Sequence, residues 1–333
     1  MRAWQFSSTN KPLETNLQLV EDAPQPSQPL APSEILLEVI SVGLNPADYL
    51  FAELGLLGKA ILHLPSIPGM DYSGRVISVG SDINSIKPGD LVFGSADTTK
   101  GIPGTLSRYT KTNYDGCIFL PPGVDLDQAA GVGTAGQTAY STIVSNVKRG
   151  DRIFINGGTG GVGTFGIQFA KAMGCHVTVS CSTAKMALCK ELGADVVIDY
   201  KTTDLISRLK GEGKVFNLVV DLVCTSPPNL FQAANDFLVP GSKFIFVGAG
   251  VTSELAKIIS KNMFLPSILG GGKNKFKFFF AKYKHEDLEQ IGKWMAVGKV
   301  KTVIDSKFDF QELPKAVTQL KTGRTTGKII IHV

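Results

Sequence analysis

The stretch RIFINGGTGGVGTFGIQFAKAMG, residues 152–174, carries the spacing best suited to chemistry. Gly158, Gly160 and Gly163 satisfy G-x-G-x-x-G directly after an apolar run at 152–155, and Val162, Phe165, Phe169 and Met173 then recur at steps of three, four and four. A strand, a tight turn and one face of a helix follow each other, the context in which this motif signals dinucleotide binding. The turn must let a pyrophosphate approach the backbone closely and aim helix-start N–H groups at it, which a Cβ at the close positions obstructs. Gly158, Gly160, Gly161, Val162 and Gly163 are therefore the expected cofactor-binding turn. The competing reading is a tight βα turn with no ligand.

The end of the second strand bears on which dinucleotide binds. NAD sites usually place an Asp or Glu about 20 residues past the glycines to accept hydrogen bonds from the ribose. No carboxylate occurs between His176 and Lys190 (HVTVSCSTAKMALCK). Ser180, Ser182 and Lys185 instead offer hydroxyls and a cation suited to a 2′-phosphate, so NADPH is the expected cofactor. Ser182 or Thr183 could equally cap the next helix, with Lys185 in solvent.

The elements that must position these groups are legible in the wider pattern. Apolar runs at 152–155, 177–181, 196–198, 218–223 and 244–247 alternate with helix-length segments, which implies an α/β, doubly wound parallel sheet of the Rossmann kind. Residues before about 120 are rich in Pro and Gly, with half-buried alternation at 34–39 (EILLEV) and 74–79 (GRVISV), and read as a β-rich lobe. Past 265 come a Gly-rich turn at 270–272, a strand-like KFKFFF, a helical pattern at 287–295 and a terminal KIIIHV, a tail expected to return to the first lobe. The expected domains are 1–125, 126–265 and 266–333.

Composition narrows the function classes. With 333 residues, 43% apolar and 19% charged, the chain fits two packed lobes and excludes disorder. A net charge of +5 is too weak a field to nominate nucleic acid. Lys275, Lys277, Lys282 and Lys284 interleave with Phe276, Phe278, Phe279 and Phe280, a pattern better matched by an edge strand than by an RNA-binding one. The five cysteines show no C-x-x-C spacing and read as reduced, buried thiols. No apolar run is long enough for a membrane span, and the start MRAWQFSSTN lacks a signal-peptide core. A soluble cytoplasmic protein is expected, with a mitochondrial address left open.

Five blocks, taken in order, resemble one family. GLNPADY (43–49), LPSIPGMDYSGRVISVG (64–80) with KPGDLVFG (87–94), the GGTGGVG turn, DLEQIGKWMAVGKVKTVIDSKF and GRTTGKIII are similar to the medium-chain dehydrogenase/reductases, in their zinc-independent quinone oxidoreductase and enoyl reductase branch. The resemblance implies a GroES-like β-rich catalytic domain, built from the N-terminal part and the tail, enclosing a Rossmann domain. It places Asn45 beside the nicotinamide and substrate, Thr138 at the carboxamide, Tyr200 beside the adenosine, and Val247 and Gly248 near the nicotinamide. The plainer alternatives are a turn former before Pro46, a helix residue and a surface aromatic for Asn45, Thr138 and Tyr200.

The resemblance implies that where zinc-dependent relatives place a Cys, a His and a second Cys as ligands, this chain departs from them with Asn45, Met70 and Thr134, none a good zinc donor. Asp48, Asp71 and His63 are weak substitutes, because the two carboxylates stand where the family uses them structurally and His63 lies in a loop. No metal is expected. Alcohol oxidation then lacks its Lewis acid, whereas an enone, 2-alkenal, enoyl thioester or quinone carries its own electrophilicity. The expected activity is NADPH-dependent, metal-free reduction of such an acceptor. The alternatives are a zinc-type alcohol dehydrogenase relative that has lost its metal and a non-catalytic NADPH-binding redox sensor. Tyr49 is a candidate proton donor against a packing role. The apolar loop LFAELGLLGKAILHLP could line a pocket for a small hydrophobic carbonyl or quinone, or serve as core or homodimer contact.

Overall fold

A computed structural model describes residues 1–96, 103–248, 260, 274–279 and 283–333. The backbone divides into two units, Met1–Gln137 with Lys282–Val333, and Thr138–Ala281. The divisions thus fall twelve and sixteen residues later than the expected ends at 125 and 265. Residues 126–137 stay with the first unit because the helix Leu126–Ala130 is tied to it. Ser41 donates to the Asp127 carboxylate at 2.6 Å, Lys307 pairs with the same group at 2.6 Å, and Thr302 donates to the Gln128 carbonyl at 2.6 Å.

The first unit is built on a seven-stranded sheet. Its path runs Ile304–Asp309, Lys328–His332, Glu34–Gly43, Asp71–Val79, Leu91–Ser95 and Cys117–Phe119, with Tyr109–Asn113 also paired to Glu34–Gly43. Ile35, Leu37, Val39 and Val42 of the long strand bury against Tyr72, Val76, Val92, Ile329 and Ile331. The C-terminal strand fixes the site by its register. Ile330 lies opposite Gly43, and the Leu44 N–H donates to the Ile329 carbonyl at 2.9 Å. One step further along each chain, Lys328 and Asn45 meet.

The second unit is a six-stranded, all-parallel sheet in the order Val196–Asp199, His176–Cys181, Arg152–Asn156, Phe216–Asp221, Leu238–Phe246, Lys275–Phe278. Numbered along the chain this is 3-2-1-4-5-6, the doubly wound dinucleotide-binding order. Ile153, Phe154, Ile155, Val177, Val179, Leu218, Val219 and Val220 are all fully buried. Continuous apolar strands rather than alternating ones are what a sheet covered on both faces demands.

One expectation needs correction here. The sequence pattern assigns KFKFFF to the returning tail, but Lys275–Phe278 is the sixth strand of the second unit's sheet, parallel to Leu238–Phe246. Phe276 sets its ring 4.9 Å from Phe231 and 5.7 Å from Phe246, and Phe278 lies 6.1 Å from Phe246. Burying these rings outweighs continuity with the tail. Lys275 and Lys277 point outward along the edge, where they discourage further pairing. The turn expected at 270–272, with Phe280 and Lys282, lies outside the described residues. The expected helix at 287–295 is observed as His285–Ala296. No helix among the described residues is long and apolar enough to cross a membrane.

Candidate functional site

In the first unit, a buried polar cluster gathers around Asn45. Pro46 opens the helix Pro46–Ala52, and Asn45 precedes it with its N–H donated to Asp48 at 2.7 Å. The Asn45 amide nitrogen donates to the Asp71 carboxylate at 2.8 Å and to the Gly43 carbonyl at 3.1 Å. Its oxygen accepts from Lys328 Nζ at 2.6 Å, and the same ammonium reaches Asp71 at 3.1 Å. The Lys328 and Asp71 side chains are 3% and 0% exposed, so the pair is enclosed by protein. Asp71 also accepts from the Thr134 N–H and hydroxyl, each at 2.7 Å.

Two further groups complete the cluster. Burial, helped by the Asp71 charge, pushes the Asp48 carboxyl up to about 7, and its Oδ1 has no partner among the described residues. Tyr283 sets its phenol oxygen 3.3 Å from the Thr134 hydroxyl, which lies 3.5 Å from Ser95 Oγ. Burial and then the Asp71 charge push this phenol up to about 12. Gln137 accepts the Lys284 N–H at 2.8 Å and so anchors the chain next to Tyr283.

These contacts bear on metal binding. Asn45, Met70 and Thr134 offer a carboxamide, a thioether and a hydroxyl, and the carboxamide oxygen is held by an ammonium. That donor set does not suit zinc. His63 is exposed, and no group of three or more His, Cys, Asp or Glu among the described residues could hold a metal ion.

Tyr49 is corrected from candidate acid to packing residue. Its ring packs against the core of the first unit with Lys321 Nζ 5.6 Å from its centroid, and Lys321 is itself paired with Glu14 and Glu53. Burial and the Glu53 charge push the phenol upward. Sequence reasoning missed Tyr283 and Lys328 instead.

In the second unit, the glycine turn follows the strand Arg152–Asn156 and opens the helix Gly161–Ala172, with Gly160 at its N-cap. A Cβ on Gly163 would stand 2.2 Å from the Gly157 carbonyl oxygen, and one on Gly158 would stand 3.0 Å from Val179. Those two glycines serve packing. Gly160 differs: its φ is an ordinary −76°, and an added Cβ meets nothing within 4 Å. Neither backbone conformation nor packing requires a glycine there. An open cradle in front of unpaired first-turn N–H groups fits a pyrophosphate.

Ser180 is a second correction. Its hydroxyl donates to Asn156 at 2.6 Å and accepts the Gly157 N–H at 3.0 Å, so it braces the turn from beneath rather than facing a 2′-phosphate. Residues 177–181 of this strand are buried, which leaves the Ser180 hydroxyl no route to solvent. Ser182 and Lys185 lie past the strand, half-buried; Ser182 stands just before the short turn Thr183–Lys185 and its side chain makes no capping hydrogen bond to it. Asp199, one strand over and level with Cys181, was not anticipated. Its carboxylate accepts from the Thr183 hydroxyl at 2.6 Å and the Lys201 N–H at 2.9 Å.

Thr138 is buried on the helix Gly133–Thr142. Tyr200, 49% exposed, follows Asp199, with Lys201 Nζ 5.4 Å from its ring centroid. Val247 and Gly248 follow the strand Leu238–Phe246, and the Val247 carbonyl accepts from the Cys224 thiol at 3.2 Å. Asn156 and Asp221 close the switch point of the sheet with a 2.8 Å hydrogen bond.

Comparison with known proteins places these features in context. Residues 31–122 match the alcohol dehydrogenase GroES-like domain, and residues 192–331 match the zinc-binding dehydrogenase model. The chain is 46% identical over its whole length to a trans-enoyl reductase, pgmF, of Aspergillus terreus, covering 96% of that protein. It is 30% identical to a chloroplastic quinone-oxidoreductase of Triphysaria versicolor, over 90% of this chain and 89% of the other. The solved structure of the quinone oxidoreductase from Coxiella burnetii superposes with a TM-score of 0.85 at 29% identity, covering 100% of this chain and 99% of that one.

Proposed function

The chain belongs to the medium-chain dehydrogenase/reductase superfamily, in its quinone oxidoreductase and enoyl reductase branch, and from that premise we propose that it is an NADPH-dependent, metal-free reductase. Its acceptor is a small hydrophobic compound with an activated double bond (enone, 2-alkenal or enoyl thioester) or a quinone, and its compartment is the cytoplasm. The observation that carries this reading is the Lys328 ammonium, hydrogen-bonded to Asn45 at 2.6 Å and to Asp71 at 3.1 Å. A fixed protein cation there leaves Asn45 no role as a ligand. The names of the enoyl reductase and quinone-oxidoreductase relatives support the acceptor class.

The bound nicotinamide supplies a hydride; the rest is done by the chain. Gly160, Gly161 and Val162 cradle the pyrophosphate, Gly158 and Gly163 allow the close packing that shapes that turn, and Ser182 with Lys185 takes the 2′-phosphate. Tyr200 flanks the adenosine, and Thr138, Val247 and Gly248 orient the nicotinamide. Both amide hydrogens of Asn45 and its oxygen are occupied by Gly43, Asp71 and Lys328. Asn45 therefore offers the acceptor a fixed polar wall and moves no proton. Charge that reaches a conjugated acceptor spreads to its oxygen, where hydrogen-bond donors or water can serve it without a metal.

Fluorescence titration tests the cofactor assignment. Lys185→Ala should raise the dissociation constant of NADPH about tenfold, roughly 1.4 kcal/mol, and that of NADH less than about twofold. Equal effects on both would remove Lys185 from the 2′-phosphate site. NADPH that binds without being oxidised by any alkenal, enone or quinone would replace the reductase with the sensor reading.

A further inference from the structure

The geometry points to Tyr283 as the acid that delivers the proton when a conjugated double bond is reduced, an assignment that rests on the reductase reading above. Adding a hydride to the β-carbon leaves an enolate, and the α-carbon needs a proton before the product is complete. Asn45 has no free hydrogen to give, and Tyr49 is engaged in core packing beside Lys321. Tyr72 is fully buried and spends its hydroxyl on the Gly116 carbonyl at 3.1 Å. Tyr283 is the phenol that stands in the Asn45 cluster itself.

Its hydrogen-bond chain runs in one direction. Thr134 gives its hydroxyl hydrogen to Asp71 at 2.7 Å, so across the 3.3 Å gap its oxygen is set to accept from Tyr283. The phenol is thus held protonated, with Asp71 negative behind Thr134 and burial favouring the neutral form. The phenol therefore holds a hydrogen to give, and it delivers that hydrogen by letting go of Thr134 across the long 3.3 Å contact, whereas the fully buried Tyr72 is enclosed by protein. In the step, the phenol O–H bond breaks, the enolate electron pair forms the new α-carbon–hydrogen bond, and a phenolate remains. The Ser95 and Thr134 hydroxyls can turn towards that phenolate, Lys328 sets a positive charge behind Asp71, and solvent water restores the proton.

The test uses the full-length enzyme, NADPH and an α-methyl 2-alkenal in D2O, reading the configuration of the new α-carbon. Wild type should deuterate one face. Tyr283→Phe should lower kcat at least about 100-fold and yield both configurations, while NADPH binds with an unchanged dissociation constant. A role confined to packing would slow turnover without scrambling the α-carbon. Thr134→Val keeps the phenol and cuts its chain to Asp71, so it should retain one-face delivery at a lower kcat. An NMR titration of ring-labelled tyrosine should show the Tyr283 signal, identified by its loss in the Phe variant, unmoved up to pH 10. One-face deuteration at the wild-type rate by Tyr283→Phe, or a signal that titrates below pH 9, overturns the assignment. Failure of the wild type to reduce any conjugated acceptor would instead overturn the reductase reading on which it rests.

Discussion

Lys328→Met should lower the melting temperature by roughly 6 to 20 °C and abolish turnover. The ammonium is 3% exposed and is hydrogen-bonded to both Asn45 and the fully buried Asp71. Removing it leaves an unpaired carboxylate inside the protein, a change that costs about 3 to 5 kcal/mol. At roughly 2 to 4 °C per kcal/mol for a unit of this size, that loss gives the stated shift. Asn45 also loses the 2.6 Å hydrogen bond that fixes its oxygen, so its amide is held less firmly. Adding Asp71→Asn should recover much of the stability, because the charge left stranded is gone, but not the activity. A melting temperature within 2 °C of wild type for Lys328→Met would show that the pair does not hold the first unit together.

The glycine turn yields the second large effect, and it separates packing from ligand binding. Gly160→Ala should leave the apo-protein's melting temperature within about 1 °C of wild type, because its Cβ enters open space. The same change should weaken NADPH binding about 100-fold. A methyl group in the cradle displaces the pyrophosphate from two helix-start N–H groups, each charge-assisted bond contributing about 1.5 kcal/mol, and 3 kcal/mol is about two decades in affinity. Gly163→Ala should fail on both counts. Its Cβ would lie 2.2 Å from the Gly157 carbonyl oxygen and 2.7 Å from the Gly158 carbonyl carbon, backbone atoms that must move. Overpacking of that kind costs about 1 to 3 kcal/mol. Calorimetric melting with parallel NADPH titration checks the pair, and unchanged affinity in Gly160→Ala would remove the pyrophosphate from that turn.

The residues that were legible in the sequence are those whose local chemistry suffices. The strand, turn and helix at 152–174 follow from glycine spacing and a 3.6-residue apolar period, and the structure shows them as Arg152–Asn156 and Gly161–Ala172. What escaped reading depends on contacts distant in the chain. Tyr283 meets Thr134 across 149 residues, and Lys328 meets Asn45 across 283. The block GRTTGKIII contained Lys328, yet a lysine opening an apolar strand reads as solvated until register sets it beside Asp71. Ser180 was misjudged for a related reason. A strand buried on both faces turns even its hydroxyls inward, and only the sheet order shows that His176–Cys181 lies between two neighbours. In KFKFFF the alternation identified an edge strand, but not which sheet it would extend.

The most direct test of the account is the fate of the cofactor's hydrogen. With NADPH carrying deuterium at the transferable C4 position and a 2-alkenal in ordinary water, mass spectrometry of the product should find one deuterium, at the β-carbon, in enzyme stripped of metal by a chelator. Product without that deuterium, or turnover that disappears on chelation and returns with zinc, would contradict direct, metal-free reduction of an activated double bond.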